Sequence, residues 1–216
     1  MTPFTYGDAM AANVLIQAVD DHDLATIENE SRAIRELTGR DFCLVALRVA
    51  DWNHDLSPWA AQAAFGDENF GDGAARTLDE ILALCADDRK TSFLGGYSLA
   101  GLFALWAACQ TGRFAGVAAA SPSVWFPCFG EYLRGHSVKS GVVYLSLGDR
   151  EEKTKDPLLA TVGDRGRETA ALLQAQGAQT ILEWNPGNHF RDMELRTAKA
   201  FAWVLNMAPP PPGGPA

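Results

Sequence analysis

The chain has 216 residues, of which 47% are hydrophobic and 21% are charged, a composition that favours a folded globular domain and argues against a disordered or collagen-like protein. Its formal net charge of −9 argues against nucleic acids and anionic membrane surfaces as partners. The first residues lack a basic segment before a long apolar run, and no run is long enough to span a bilayer, so we expect a soluble, cytoplasmic protein.

Short β-rich runs alternate with helical patterns along the whole chain. Several of these runs are almost continuously apolar, which is typical of strands buried on both faces of a parallel sheet. The predicted strands cover residues 13–20, 42–49, 91–97, 114–121, 141–148 and 180–185.

Helical periodicity fills the segments between these strands. The first helix carries its apolar face from Leu24 to Leu37 and stops at Gly39. Thr77 and Glu80 have the spacing of a capping box at the start of the second helix. The β-α-β-α order predicts a compact, open, mostly parallel sheet of about six strands with helices on both faces. Further helices are predicted at 99–110, 164–177 and 192–206.

Two stretches interrupt this alternation. Residues 51–73 form a long connection whose aromatic content favours a functional loop over a disordered one. Residues 209–216 have the sequence PPPPGGPA, which is typical of an unpacked end. We therefore expect a single domain over residues 1–208, followed by a disordered tail.

The third predicted strand runs into the sequence GGYSLAG at 95–101, and a helical pattern follows directly. A strand, a sharp turn and a helix with a serine at the apex form a nucleophile elbow. This turn needs small residues two positions before and after the serine, because the strand and helix backbones come close together. Gly96 and Ala100 occupy these positions, although glycine is more usual at the second. We predict Ser98 as a nucleophile.

A serine hydroxyl needs a neighbouring base to react at neutral pH. In sheets with such an elbow, the partners follow the serine in the order acid and then histidine, each after a strand. His189 lies in the turn-rich sequence NPGNHF at 185–190, after the last predicted strand, whereas His22, His54 and His136 do not fit this order. We predict His189 as the general base.

The acid is expected after the fifth predicted strand, in the sequence GDREEK at 148–153. Glu151 is the first choice, since the acid that partners an elbow serine commonly lies a few residues past a strand-ending glycine. Asp149 and Glu152 remain close alternatives, and Asp156 is a weaker one. The carboxylate of whichever residue is the acid would hold the histidine tautomer and stabilise the imidazolium.

An oxyanion hole requires two backbone N–H donors. Leu99, directly after the serine, is predicted to supply one, and the loop after the first predicted strand is predicted to supply the other through Asp21 or His22. The carboxylates beside His22 would also suit a metal ion. No second ligand cluster supports that interpretation, so we expect no metal.

The elbow, the late histidine and the strand order resemble the α/β-hydrolase superfamily. Within it, the chain is similar to the putative-esterase group that includes siderophore (enterochelin-type) esterases, feruloyl esterases and S-formylglutathione hydrolases. The resemblance covers about residues 13–205 and is carried by GYSLAG at 96–101, SPSVW at 121–125 and NHF at 188–190. It implies hydrolysis of a carboxylic ester or thioester through an acyl-enzyme, without a cofactor. The chain departs from larger members in one respect: it is expected to begin at what is their third strand, so that the early antiparallel hairpin is missing or truncated. No large cap domain is expected between the late strands.

Ligands of such sheets bind at the carboxyl ends of the strands. Trp52, Trp59 and Trp125 all follow predicted strands, and we predict that they form walls of a substrate pocket. The expected partner is a small-molecule ester, with a homodimer left open. An acyltransferase or a peptidase would use the same three residues, and a non-catalytic binding protein would keep the fold without turnover.

Overall fold

A computed structural model of the chain describes residues 1–64 and 66–209. The described residues form a seven-stranded sheet: β1 (Thr2–Gly7), β2 (Asn13–Val19), β3 (Cys43–Arg48), β4 (Thr91–Tyr97), β5 (Phe114–Ala120), β6 (Val142–Gly148) and β7 (Gln179–Asn185). The strand order is β1-β3-β2-β4-β5-β6-β7, and only the β1–β3 pair of this sheet is antiparallel. The prediction of an open, mostly parallel sheet is confirmed.

Helices cover both faces of this sheet, also as predicted. The helices of the described residues are α1 (Asp21–Thr38), α2 (Trp52–Asp55), α3 (Ala74–Leu84), α4 (Leu99–Gln110), α5 (Phe129–Gly135), α6 (Val162–Ala175) and α7 (Met193–Met207). One face of the sheet packs against α3, α4, α5 and α6, and the other against α1 and α7. Helix α4 is buried over nearly its whole length, which explains why it is apolar on all sides.

The sheet has one strand more than the sequence predicts. β1 runs antiparallel to β3, from Thr2 opposite Arg48 to Gly7 opposite Cys43. The interpretation that the chain begins at the third strand of larger members is therefore wrong, since an antiparallel strand precedes β2. β1 is a largely exposed edge strand that contains Pro3, so it lacks the apolar run that marks the buried strands.

The helix caps differ from the prediction as well. The capping box proposed for Thr77 and Glu80 is wrong, because α3 already begins at Ala74 and Thr77 lies inside its first turn. A capping box is found instead at α1, where the Asp20 carboxylate accepts from Asp23 N at 2.8 Å and the Asp23 carboxylate accepts from Asp20 N at 3.3 Å. A pair of aspartates at this spacing departs from the usual Ser/Thr and Glu/Gln pair.

The long connection at 51–73 is organised around the buried carboxylate of Asp55. Its oxygens accept from Ala50 N at 3.2 Å, from Asp51 N at 3.1 Å and from Arg76 Nη2 at 2.8 Å. Burial opposes ionisation of Asp55, but the hydrogen bonds from Asp51, His54 and Arg76 outweigh it and lower the pKa of this carboxyl group. The connection thus has an ordered core and includes α2.

Helix α7 closes the described part of the chain. The tail predicted at 209–216 lies outside the described residues, apart from Pro209. Over residues 1–64 and 66–209, no helix combines the length and the apolar character that a membrane crossing requires.

Candidate active site

Ser98 lies at the apex of the sharp turn between β4 and α4. Its backbone has φ 55° and ψ −117°, a strained conformation for a residue with a side chain and one that lifts the hydroxyl above the sheet edge. A Cβ at Gly96 would lie 2.5 Å from the Cβ of Ala100, so the methyl group of Ala100 fits only because its neighbour is glycine. Ser98 N donates to Ala120 O at 3.0 Å, which ties the turn to β5.

His189 reaches Ser98 from the loop between β7 and α7. Its Nε2 lies 3.0 Å from Ser98 Oγ, and its Nδ1 lies 2.8 Å from Glu151 Oε2. A proton on Nδ1 is shared with the carboxylate and leaves the Nε2 lone pair facing the serine hydroxyl. The structure therefore brings together three residues that follow the ends of β4, β6 and β7.

The three carboxylates after β6 have different surroundings. Glu151 contacts His189 Nδ1 through its Oε2. Asp149 instead accepts from Gly187 N at 2.8 Å and so holds the main chain of the histidine loop. Glu152 pairs with Arg167 of α6 at 3.2 Å. Of the three carboxylates, that of Glu151 is the one in hydrogen-bond contact with the His189 ring.

Glu151 is an almost fully buried anion. Its Oε1 accepts from Gly148 N at 2.6 Å and from Ser121 Oγ at 2.8 Å, and its Oε2 faces His189. Burial opposes ionisation, but the hydrogen bond and charge of His189, with the hydrogen bonds from Gly148 and Ser121, lower the pKa of Glu151. The carboxyl group is therefore held in the charged form that a histidine partner needs.

Two buried side chains at the site, Arg196 and Tyr97, are not predicted from the sequence. Arg196 Nη1 lies 3.0 Å from Glu151 Oε1, and the Tyr97 hydroxyl donates to the His189 carbonyl at 2.6 Å. Burial is the largest cause that raises the pKa of Tyr97, to about 12, so this phenol stays protonated at neutral pH. Helical spacing offers one signal for Arg196, since it shares a face of α7 with apolar Ala200.

The predicted oxyanion donors lie at the starts of two helices. Leu99 is the first residue of α4, and Asp21 and His22 are the first two of α1, so their N–H groups have no acceptor within their helices. Gln17 of β2 lies opposite Gly95 of β4, so the two helices follow the ends of neighbouring parallel strands.

The acidic side chains around His22 have partners within the protein. Asp20 and Asp23 form the capping box, and the Asp21 carboxylate binds Arg48 at 2.6 and 2.8 Å. Among the residues that the structure describes, no group of three or more histidine, cysteine, aspartate or glutamate side chains could hold a metal ion.

A cavity of about 340 Å³ opens beside Ser98 and His189, a volume typical of small-molecule sites. Arg150 and Lys153 also line it, and their exposed side chains have no acidic partner within the described ranges of the chain. The rest of the lining is apolar over most of its area, through Trp125, Leu159, Val162 and Phe190, and it also includes Glu151, Thr154 and Asn188.

Only one of the three predicted tryptophans belongs to this cavity lining. Trp125 lines it, whereas Trp59 donates its Nε1–H to Pro127 O at 3.0 Å and packs its ring 5.4 Å from that of Tyr132. Trp52 is partly buried against the core on the same face of the sheet. Trp52 and Trp59 therefore do not line the cavity beside Ser98, and both indoles pack against the core.

Solved structures with similar backbones cover nearly the whole chain. The siderophore hydrolase EstA from Aspergillus nidulans has a TM-score of 0.70 at 20% identity, over 93% of this chain and 85% of that one. An IroE-like serine hydrolase from Shewanella oneidensis has a TM-score of 0.72 at 16% identity, over 96% and 77%. FphF, a fluorophosphonate-binding serine hydrolase from Staphylococcus aureus, has a TM-score of 0.62 at 10% identity, over 95% and 98%.

This likeness establishes the fold. The chain has the α/β-hydrolase fold, as the elbow and the strand order predict. No protein-family model and no curated protein sequence matches it.

Proposed function

We propose that this protein is a serine esterase that cleaves a carboxylic ester or thioester through an acyl-enzyme on Ser98. One observation carries this function: His189 Nε2 lies 3.0 Å from Ser98 Oγ at the wall of a cavity, with Glu151 behind the ring at 2.8 Å. A base at this distance can take the serine proton, and a carboxylate at Nδ1 stabilises the imidazolium that results.

In the acylation step, Ser98 Oγ attacks the carbonyl carbon of the ester while its proton passes to His189 Nε2. The carbonyl electron pair moves onto oxygen, where Leu99 N–H and an N–H of Asp21 or His22 would donate hydrogen bonds. When the tetrahedral intermediate collapses, the bond to the leaving group breaks and His189 gives its proton to the departing oxygen or sulfur.

Deacylation repeats these steps with water as the nucleophile. His189 takes a proton from water as the water oxygen attacks the acyl carbon, and then returns a proton to Ser98 Oγ as the carboxylic acid leaves. The side chain of Glu151 keeps its negative charge throughout. Its task is to orient the ring and to compensate the imidazolium charge that appears twice in each turnover.

A serine-directed probe and simple esters test this function together. A fluorophosphonate is expected to label Ser98 stoichiometrically, as found by peptide mapping, and p-nitrophenyl esters of graded acyl length are expected to be hydrolysed. Labelling with acyl transfer to an added alcohol or amine, or with peptide cleavage, would indicate an acyltransferase or a peptidase. Absence of both labelling and turnover would indicate a non-catalytic binding protein and contradict the proposal.

For the substrate class, we propose an ester that combines an apolar part with a negative charge. Arg150 and Lys153 place two positive charges, without acidic partners among the described residues, at a largely apolar cavity in a chain whose formal net charge is −9. The Glu151 anion that also lines this cavity is already paired with Arg196. Cations at the wall of a low-dielectric cleft attract anionic ligands. EstA is a siderophore hydrolase by its name, and an anionic siderophore ester is a candidate of this class.

This charge preference predicts a difference between two esters of equal length. The p-nitrophenyl monoester of adipic acid carries a carboxylate where p-nitrophenyl hexanoate carries a methyl group. We expect Arg150→Gln/Lys153→Gln to lower kcat/KM for the adipate ester by about tenfold and to change that for the hexanoate by less than about twofold. The wild-type preference for the adipate ester should decrease as salt screens the two cations.

Lys155→Gln is the matched control for this experiment. Lys155 is an exposed cation on the same loop that does not line the cavity, so its replacement removes a nearby charge without changing the site. Equal losses for both esters, or a loss in Lys155→Gln as large as that of the double variant, would rule out charge recognition by Arg150 and Lys153.

A further inference from the structure

Arg196 has an unfavourable position for a charged side chain. It is only 1% exposed, and it lies in the first turn of α7, where the positive end of the helix dipole disfavours a cation. Its Nε is buried and has no hydrogen-bond partner in the described part of the chain. A buried ion pair is a weak source of stability, since apolar residues of similar volume often replace it without loss. Stability alone therefore explains this arginine poorly.

The guanidinium of Arg196 joins the two loops that carry the acid and the base. Nη1 lies 3.0 Å from Glu151 Oε1, in the loop after β6. Nη2 donates to Asn188 O at 3.0 Å and to Pro186 O at 3.3 Å, in the loop after β7. Because His189 directly follows Asn188, one side chain fixes both the carboxylate and the main chain that presents the imidazole.

The contacts divide the two oxygens of Glu151 between two tasks. Oε1 accepts from Arg196, Gly148 and Ser121, whereas Oε2 is left for His189. A Cβ at Gly148 would lie 2.3 Å from the carbonyl oxygen of Gly187, in the loop after β7, and 2.8 Å from Arg196 Nη2. The close approach of the two loops therefore requires glycine at this end of β6.

Tyr97 extends the same network from β4. Its hydroxyl accepts from Arg196 Nη1 at 2.9 Å and donates to the carbonyl oxygen of His189 at 2.6 Å. Besides the Glu151 carboxylate, the guanidinium therefore holds the histidine loop through the Tyr97 hydroxyl and the carbonyl oxygens of Pro186 and Asn188.

We propose that Arg196 is a positioning residue that holds Glu151 Oε2 and the ring of His189 in line for proton transfer. It does not line the cavity beside Ser98, so it acts through the acid loop and the histidine loop. Its expected effect on turnover rests on the proposed esterase function, whereas its effect on the Glu151–His189 hydrogen bond does not.

The charge of Arg196 adds a second, separable effect. With the guanidinium present, the negative charge of Glu151 beside the imidazole is partly balanced. Without it, the imidazolium is favoured and loses its proton at higher pH, and a neutral imidazole is needed for activity. The acid limb of the pH–rate profile should therefore move to higher pH. The other titratable side chains facing the Glu151–His189 pair and the adjoining cavity are Tyr97, Arg150 and Lys153.

Two variants separate the geometry of Arg196 from its charge. Lysine keeps the charge but cannot reach the carboxylate and both carbonyls at once. We expect Arg196→Lys to lower kcat, normalised to sites titrated with a fluorophosphonate, by about 10- to 100-fold without moving the acid limb. Arg196→Gln should lower kcat at least as much and move the acid limb up by about one pH unit.

A spectroscopic readout keeps the test independent of turnover. The proton between His189 Nδ1 and Glu151 Oε2 is expected as a far-downfield NMR resonance, assigned by its loss in Glu151→Gln. This resonance should shift or broaden in Arg196→Lys. In the Glu151→Gln background, Arg196→Lys should change kcat by less than about threefold, because a residue that acts through Glu151 has little left to position.

Arg167→Gln is the control, since it removes an exposed cation that pairs with the neighbouring Glu152. A merely structural role for Arg196 would lower the melting temperature while leaving kcat per titrated site, the acid limb and the resonance at their wild-type values, and this result would overturn the proposal. If Arg196→Gln does not fold, the kcat per titrated site and the NMR resonance of Arg196→Lys decide whether Arg196 is a positioning residue. If no ester is turned over, the proposed function fails while the resonance still tests the positioning role.

Discussion

Replacing Ser98 with alanine is expected to lower kcat for ester hydrolysis by about 10⁴-fold or more, as triad deletions do elsewhere. The hydroxyl is the atom that attacks the carbonyl carbon, and alanine offers nothing in its place. The backbone conformation at φ 55° is no more strained for alanine than for serine, so the fold should be retained. The measurement is kcat with a p-nitrophenyl ester, together with the melting temperature and the loss of fluorophosphonate labelling.

Ser123→Ala is the matched control for this prediction. Ser123 is buried, and its Oγ lies 3.2 Å from Ser98 Oγ, which makes it the nearest rival hydroxyl. Its loss should cost less than about tenfold, because His189 contacts Ser98. If Ser98→Ala keeps more than about a tenth of the wild-type kcat, or if the label moves to Ser123, then Ser98 is not the nucleophile.

Glu151→Gln is expected to lower kcat by about 10²- to 10⁴-fold. The amide keeps the shape of the side chain but loses the negative charge that stabilises the imidazolium. In the wild type, Oε1 accepts three hydrogen bonds and Oε2 faces His189 Nδ1. The NH₂ group of glutamine must occupy one of these two positions, where it would face another hydrogen-bond donor. KM should change much less than kcat, because Glu151 acts on the base during the chemical step.

Asp149→Asn and Glu152→Gln should each stay within about tenfold of the wild-type kcat. Asparagine can still accept from Gly187 N, and Glu152 pairs with Arg167 at the surface. A larger loss in either variant than in Glu151→Gln would move the acid to that position. If all three variants are nearly silent, the site works as a dyad of Ser98 and His189.

The sequence by itself indicated Ser98 and His189, because the pattern that marks each of them lies within a few neighbouring positions of the chain. Ser98 is recognisable because an elbow needs a strand, small residues at Gly96 and Ala100, and a helix, all within a few positions. His189 is recognisable because parallel strands end at one edge of a sheet, so a turn-rich loop after the last strand returns to the edge that carries the serine. The alternation of strands and helices determined the sheet and its covered faces in the same way.

Elements with weak local patterns were harder to predict. β1 is an exposed edge strand without an apolar run, and its pairing with β3 depends on residues about forty positions away in the chain. Trp52 and Trp59 are aromatic and follow strands, as residues that line a pocket often do. Whether an indole lines a cavity or covers the core depends on which carbonyls and rings lie beside it. For Trp59 these belong to Pro127 and Tyr132.

Only the tertiary structure shows which carboxylate contacts His189 and which residues hold that carboxylate in place. Asp149, Glu151 and Glu152 are chemically alike, and the direction in which each side chain leaves the loop is set by the contacts of neighbouring elements. Arg196 contacts Glu151 across 45 positions of sequence and Tyr97 across 99, so no spacing rule connects them. Such a network forms because the ends of strands far apart in the chain meet at one edge of the sheet, where a buried cation can reach several of them at once.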